Sequence, residues 1–216
     1  MAVVSGLASK DKYPALTKVL KKEYHASPYM EKYVLEALFQ MGEPAFALER
    51  MKQRYTRMLD YAEYTTLFEG WGIGSEGFGG GSVNHAWSGG GMTVAYQSIC
   101  GIRPMEVAYN VIGILPDPAG LKSASASVQT PAGKVSSSFE NTNNIFVLNA
   151  DIPSAYEGVI GTPKEGVREV KINGVTVWKD GKPVKNKIAR WSKHQTSDLH
   201  LSFDVPGGTY KLIAVK

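Results

Sequence analysis

The chain has 216 residues, of which 43% are apolar and 20% charged, and it carries a formal net charge of +4 at neutral pH. These values suit a globular protein that buries a core without disulfides or structural metals, and the spread of basic residues gives no stripe for nucleic acid. No apolar run approaches the ~20 residues of a membrane-spanning helix. We therefore expect neither nucleic acid nor a membrane as a partner. The N-terminal MAVVSGLASKDKYP lacks the basic start of a signal peptide and resembles the end of a helix that begins earlier.

The first 108 residues have the periodicity of helices. DKYPALTKVLKKEYHA (11–26) repeats apolar residues at spacings of three and four, which predicts an amphipathic helix. SPYMEKYVLEALFQMG (27–42) predicts a second helix, capped by Ser27 and with Pro28 in its first position. Its apolar residues lie on more than one face, so we expect it to pack between other helices.

Two further helices are predicted. EPAFALERMKQRYTRMLDY (43–61) restarts the helical pattern at Pro44, and its basic residues are expected to point outward. The fourth helix is predicted from about Asn84 to Ile99, after a glycine-rich loop.

Three residues with reactive or charged side chains occur in apolar surroundings. Cys100 lies in YQSICGI and is expected to be a buried thiol; a catalytic cysteine is the alternative, but no His/Asn arrangement accompanies it. Glu31 and Glu36 lie in the second helix. Glu36, inside YVLEALF, must be paired or line a cavity, and a structural salt bridge is the favoured interpretation.

The second half of the chain has a period of two. LKSASASVQTPAGKVSSSFEN (121–141) predicts two strands around the turn TPAG, and the Asn-Gly and Asp-Gly pairs at 173–174 and 180–181 predict two further hairpins. Short strands with regular turns are typical of an antiparallel sandwich. We therefore predict an α+β chain in two blocks, with helices over 1–108 and a β-sandwich over 109–216.

The common ligand motifs are not supported. Gly72, Gly74 and Gly77 have the G-x-G-x-x-G spacing, but no strand precedes them and no helix opens at the third glycine, so a nucleotide site is not expected. The histidines at 25, 85, 194 and 200 are isolated from other ligands at metal-binding spacings. We therefore expect no cofactor and no metal.

The glycine-rich segment 65–91 instead concentrates acids and aromatic residues, namely Glu69, Trp71, Glu76, His85 and Trp87. Aromatic faces stack on sugars while acids and histidines bond their hydroxyls, and glycosidic cleavage needs carboxyl groups beside the scissile bond. Glu69 offers one carboxylate in such a setting. The alternatives are that Glu69 and Glu76 are solvated loop acids, and that Trp87 packs the start of its helix.

Several of these segments occur together in one known family. The helical half contains HASPYMEKYVLEALFQMGEPAFALERMKQRYTRML, then TTLFEGW, GGSVNHAWSGG and CGIRP, and the β half contains LKSASASVQTPAGKVSSSFEN and GVREVKINGVTVW. In this order, they resemble the bacterial α-L-rhamnosidases of glycoside hydrolase family 78. The resemblance implies that 1–108 are the C-terminal part of an (α/α)6 catalytic barrel and that 109–216 are the β-sandwich that follows it.

The resemblance also implies roles for single residues. Glu69 is the general base that activates water in an inverting reaction, in which the two carboxyl groups stand ~6.5–9.5 Å apart. His85 and Trp87 line the rhamnose pocket, and Trp71 adds a stacking face. The implied substrates are rhamnose-containing glycosides.

One part of the family pattern has no counterpart here. The general acid belongs to a segment like D-E-R-x-G-W-x-G-D, and no segment of this chain matches it. We therefore expect a C-terminal part of such an enzyme, weakly active or inactive alone, whose open helix faces associate with the missing N-terminal part or with another copy.

Two non-catalytic alternatives stay open at this point. One is a carbohydrate-binding module in the β half, with Trp178 and Trp191 as candidates, although the alternation in VTVW predicts that Trp178 faces the core. The other is a fragment that serves only in subunit association.

Overall fold

The computed structural model describes residues 1–61, 63–73, 81–194 and 199–216. These residues form several helices followed by a large, mostly antiparallel sheet, which confirms the α+β class. The chain divides into a helical unit, Met1–Ala95, and a β unit, Tyr96–Lys216. The assignment of 1–108 to a barrel and 109–216 to a sandwich stays a prediction. Gly74, Gly77 and Glu76 of the glycine-rich loop lie outside the described residues.

The helices are α1 Tyr13–Lys22, α2 Pro28–Gln40, α3 Pro44–Leu59 and α4 Gly90–Val94. A 3₁₀ turn, Ala86–Gly89, precedes α4 and a π turn, Ala95–Ile99, follows it, so the predicted fourth helix is a run of three helical types. Ser27 caps α2 as predicted, since its hydroxyl accepts from the Met30 N–H at 3.3 Å. A 3₁₀ turn, Lys10–Lys12, leads into α1.

A buried ion pair lies between α2 and α3. Glu31 and Arg50 are 0% and 1% exposed, and Arg50 donates to the two carboxylate oxygens of Glu31 at 2.5 and 3.0 Å. Its Nη1 also donates to the carbonyls of Leu20 and Glu23, at 2.6 and 2.9 Å. The expectation that the basic residues of α3 point outward is therefore wrong for Arg50. The buried Glu31 carboxylate requires a cation and draws Arg50 inward.

The second acid of α2 behaves as predicted. Glu36 forms a salt bridge with Lys32 on the same helix, with 3.5 Å between Nζ and Oε1. This is the i, i+4 spacing at which helical side chains meet.

The strands are β1 Ile102–Pro104, β2 Val111–Ile114, β3 Ser123–Thr130, β4 Gly133–Asn141, β5 Ile145–Pro163, β6 Glu169–Ile172, β7 Val175–Lys179, β8 Lys182–Pro183, β9 Arg190–Trp191 and β10 His200–Val215. A 3₁₀ turn, Val107–Tyr109, separates β1 from β2. The predicted hairpins are confirmed: β3 and β4 flank TPAG, and the Asn-Gly and Asp-Gly pairs connect β6 to β7 and β7 to β8. Asn173 and Asp180 have φ values of 47° and 49°, each followed by a glycine of positive φ, as a type I′ turn requires.

The expectation of uniformly short strands is wrong for β5 and β10, which pair antiparallel along almost their whole length. On its other edge, β5 pairs with β4 over its first half and, in parallel, with β2 over its second half. β10 likewise pairs with β9 early and with β6 late. The pairing of β5 and β10 shifts register between Pro206 and Gly208. There Gly207 is essential, because a Cβ would lie 2.3 Å from the Pro153 carbonyl oxygen.

Apolar side chains fill the interior of the β unit. Its fully buried members include Phe139, Phe146, Phe203, Ile112, Ile114 and Leu115. Trp178 is buried as the alternation predicted. Cys100 is buried as well, and burial raises the pKa of its thiol, which fits a structural cysteine better than a nucleophile.

Candidate functional site

Two segments of the glycine-rich loop run side by side in the helical unit. The Glu69 N–H donates to the Ser82 carbonyl and the His85 N–H to the Leu67 carbonyl, each at 2.9 Å. The Thr66 hydroxyl donates to the Val83 carbonyl. This pairing places Glu69 beside His85.

The Glu69 carboxylate is held from one side. Its Oε2 accepts from the Ser82 N–H at 2.9 Å and lies 3.6 Å from His85 Nδ1. That nitrogen in turn lies 3.0 Å from the Ser82 hydroxyl. Both carboxylate contacts found among the described residues therefore involve Oε2, and the side chain remains about one-third exposed.

The backbone of a glycine lies close to this carboxylate. A Cβ at Gly81 would lie 2.8 Å from both Cβ and Oε2 of Glu69. These distances are shorter than van der Waals contact, so any side chain at position 81 would displace the acid. The close approach of the Gly81 backbone thus contributes to the geometry of the site.

An aromatic strip formed by His85, Trp87 and Tyr29 extends from Glu69. The rings of His85 and Trp87 lie 4.1 Å apart between centroids, and those of Trp87 and Tyr29 lie 5.3 Å apart. Trp87 and Tyr29 are 41% and 42% exposed. The Trp87 indole N–H is 3.4 Å from the Glu69 carbonyl oxygen, so it attaches the strip to the backbone of the acid. The result is an exposed aromatic surface beside a carboxylate.

Trp71 has a different environment. Its indole N–H donates to the Ala26 carbonyl at 2.7 Å, the Arg54 guanidinium lies 4.0 Å from its ring centroid, and Tyr55 packs edge-on against it at 5.2 Å. These contacts indicate that Trp71 supports the loop from inside. The predicted role of Trp71 as a sugar-stacking face stays a prediction.

The support of the loop leads back to the buried ion pair. Arg54 lies 3.7 Å from Glu31 Oε2 and donates to the same Ala26 carbonyl that accepts from Trp71. Burial lowers the pKa of Arg54, while the Glu31 carboxylate opposes this effect. Phe68, next to Glu69, is fully buried against Tyr61 and Tyr64. The acid is thus carried by a rigidly anchored stretch of backbone.

Sequence reasoning missed two contributors to this site, Tyr29 and Gly81. Tyr29 follows the Ser27-Pro28 start of α2 and is distant in sequence from the loop, so only its exposed position in the first helical turn could have drawn notice. Gly81 is one of a run of glycines, and the sequence does not mark which of them touches the acid.

The part of the chain that the structure describes has the features of neither a metal site nor a membrane-spanning helix. That part contains no cluster of three or more His, Cys, Asp or Glu side chains suited to a metal ion. Its helices are each too short or too polar to cross a bilayer.

Known proteins resemble the chain over both of its units. Residues 101–176 match the family model of the bacterial α-L-rhamnosidase C-terminal domain. A protein named alpha-L-rhamnosidase from Formosa agariphila is 35% identical over 131 residues, which are 57% of this chain and 14% of that protein.

Solved structures share the fold. The α-L-rhamnosidase of Dictyoglumus thermophilum superposes with a TM-score of 0.77 at 22% identity, over all of this chain and 25% of that one. The Streptomyces avermitilis α-L-rhamnosidase complexed with L-rhamnose gives 0.63 at 23% identity, over 86% of this chain and 17% of that one. The chain thus spans a quarter or less of the length of these relatives.

These matches are all to proteins named as α-L-rhamnosidases or to their C-terminal domain. They confirm the resemblance to the C-terminal part of bacterial α-L-rhamnosidases, which is supported in the β unit by the match of residues 101–176 to the model of their C-terminal domain.

Proposed function

We propose that the chain supplies the general base and part of the sugar pocket of an inverting glycoside hydrolase that releases terminal α-L-rhamnose from rhamnosides. The observation that carries this proposal is the Glu69 carboxylate, held on one oxygen beside the exposed aromatic strip. The names of the related proteins supply the substrate class.

The chemistry assigned to Glu69 follows from its contacts. In an inverting reaction, a carboxylate takes a proton from water as that water attacks the anomeric carbon. The Ser82 N–H and His85 orient Oε2, and we assign Oε1 to the water. Gly81, which has no Cβ, leaves the space that the carboxylate occupies.

The aromatic strip suits a deoxy sugar. Rhamnose carries a methyl group where most hexoses carry a hydroxymethyl group, so more of its surface is apolar and can stack on an aromatic ring. Trp87 and Tyr29 offer this surface, and His85 offers a polar edge for a hydroxyl. The sugar-binding surface and the general base are therefore adjacent.

The architecture of the intact enzyme is also part of the proposal. We assign 1–108 to an (α/α)6 barrel and 109–216 to a β-sandwich. The sandwich assignment is supported by β5 and β10, whose two halves pair with different strands on their outer edges. Exposed apolar side chains on the helical unit support burial against further helices; they include Leu7, Val19, Leu59 and Met92. Those helices would belong to the remaining part of the enzyme or to a second copy.

The test uses two rhamnosides that differ in leaving group. A 2,4-dinitrophenolate departs without protonation, so a chain that holds only the base should hydrolyse 2,4-dinitrophenyl α-L-rhamnopyranoside slowly. It should leave methyl α-L-rhamnopyranoside intact, because general acid catalysis contributes roughly 10²–10⁴-fold. Glu69→Gln should abolish the slow reaction, and the first product seen by NMR should be β-L-rhamnose.

Glu63→Gln is the matched control, since Glu63 is an exposed acid of the same loop region. L-Rhamnose binding, measured by calorimetry, should survive Glu69→Gln and be lost in Trp87→Ala. The proposal is wrong if the dinitrophenyl rhamnoside is hydrolysed equally by Glu69→Gln. It is also wrong if L-rhamnose does not bind the folded chain.

A further inference from the structure

The β unit contains a cleft of ≈ 1260 Å³ that the proposed chemistry does not use. Four segments form it: 106–111, 154–157, 186–193 and 204–207. Its volume exceeds the ~300–1,000 Å³ typical of small-molecule sites, so it has room for more than one sugar-sized ring.

An exposed tryptophan lies on the wall of this cleft. Trp191 is 40% exposed, and one of its faces stacks on the buried Trp178, with 5.0 Å between centroids and an interplanar angle of 21°. Phe203 packs edge-on against it at 5.7 Å. Trp191 is therefore rigidly backed while part of its ring remains open to a ligand.

The loop that carries Trp191 is already ordered by its own hydrogen bonds. Asn186 Oδ1 accepts from the N–H groups of Ile188 and Ala189, each at 2.9 Å. Asp204 accepts from the Ser192 hydroxyl and, at 3.3 Å, from the Lys193 N–H. A ligand would therefore bind a preformed wall, which reduces the ordering cost of binding.

The charges of the cleft indicate the class of ligand. Three cationic side chains and three acidic ones line it: Lys187, Arg190, Lys193, Glu106, Glu157 and Asp204. A phosphate or nucleotide site would have an excess of positive charge, and an apolar ligand would need an apolar lining. Balanced donors and acceptors beside an aromatic face suit a neutral molecule rich in hydroxyl groups.

We propose that this cleft is a binding site for a neutral oligosaccharide, with one pyranose ring stacked on the open part of Trp191. The site lies wholly within the β unit, whereas the Glu69 site lies in the helical unit. It does not depend on the function proposed for Glu69, and it would give the chain a second contact with a polymeric substrate.

Two tryptophans of equal exposure make the test specific. The purified 216-residue chain is titrated calorimetrically with cellohexaose, xylohexaose and mannohexaose, and with ATP as an anionic comparison. At least one hexasaccharide should bind, and Trp191→Ala should weaken that binding about tenfold or more, as expected when ring stacking is lost. Trp87→Ala, which removes the exposed tryptophan of the helical unit, should leave it unchanged.

Circular dichroism checks that each variant is folded. If Trp191→Ala unfolds, Arg190→Ala replaces it, because Arg190 is exposed, lines the cleft and should weaken binding severalfold without disturbing the core. The proposal is overturned if no hexasaccharide binds, if ATP alone binds, or if binding is lost in Trp87→Ala but not in the cleft variants.

Discussion

The two units of this chain have different interiors. At the centre of the helical unit lies the Glu31–Arg50 ion pair, which joins α2 and α3 to the C-terminal end of α1 through the carbonyls of Leu20 and Glu23. The β unit is filled at its centre by apolar side chains such as Phe139, Phe146 and Leu212. Among the described residues, Glu31 and Arg50 are the only Asp, Glu, Lys or Arg residues that are fully buried.

The two kinds of interior contribute differently to the structure. A buried ion pair gives little net stability, but it fixes the relative orientation of the segments that it joins. The loss of one partner leaves the other charge buried and unpaired. An apolar core gives stability in proportion to the area it buries and tolerates changes of shape more readily. In this chain Arg54 connects the ion pair to Trp71, which belongs to the loop that carries Glu69.

The largest effect is expected in the helical unit. Arg50→Ala leaves the Glu31 carboxylate buried without its main cation and should destabilise this unit by about 3–5 kcal/mol. Hydrogen exchange of α2 and α3 peptides, followed by mass spectrometry, measures this unit separately.

The double variant Glu31→Leu/Arg50→Met is the control. It should be less destabilised than Arg50→Ala, because the fully buried carboxylate is removed together with its main cation and only Arg54, which is partly exposed, loses a charged neighbour. If Arg50→Ala kept the wild-type protection against hydrogen exchange, the inferred difference between the two interiors would be wrong.

Leu212→Ala tests the apolar interior of the β unit. Leu212 is fully buried in β10, so its truncation should cost about 2.7–5 kcal/mol through lost burial and the cavity left behind. Exchange of β5 and β10 peptides should rise while α2 and α3 peptides keep their protection. Lys211→Ala, on the opposite face of the same strand, should change stability by less than about 0.5 kcal/mol.

A smaller, pH-dependent effect comes from a polar exception in the β unit. Burial, together with the Arg103 charge, lowers the pKa of His200 to about 4, and its ring donates to the Pro116 carbonyl at 3.1 Å. Since an unfolded histidine titrates near ~6.5, the unfolded state binds more protons between these two values. Stability is therefore fully present above pH ~6.5 and falls as the pH drops toward 4, by up to about 3 kcal/mol.

His200→Gln keeps a donor for Pro116 and should remove this part of the pH dependence in urea unfolding monitored by tryptophan fluorescence. Burial raises the pKa of the nearby Asp117, which acts in the opposite direction, so the difference between the variant and the wild type isolates the histidine. His25→Gln, at an exposed histidine, should reproduce the wild-type curve. An unchanged slope in His200→Gln would show that another group is responsible.

Local features of the fold could be predicted from the sequence because their causes are local. The Ser27 cap, the type I′ turns and the helix starts at Pro28 and Pro44 are each set by a few neighbouring residues. The inward position of Arg50 and the length of β5 could not be predicted in this way. Each depends on a partner far along the chain, Glu31 in the first case and β10 in the second.

The candidate site also has parts that could be predicted from the sequence and parts that could not. Glu69, His85 and Trp87 come from two short motifs, and the structure brings them together. Tyr29 joins the aromatic strip only because α2 folds against the loop, and the contacts of Trp71 with Arg54 and Tyr55 likewise depend on packing between distant segments. Family resemblance suggested the acid, but side-chain packing decides which aromatic rings accompany it.

The pairing of β5 with β10 also constrains how the chain is synthesised. Pro163 pairs with His200 and Ile145 with Val215, so one edge of β5 has no partner until the ribosome has released β10. An unpaired edge of such length is a site for aggregation. During translation, the nascent β unit should therefore be a client for chaperones, and codons that slow elongation between β5 and β10 should lower the yield of native protein.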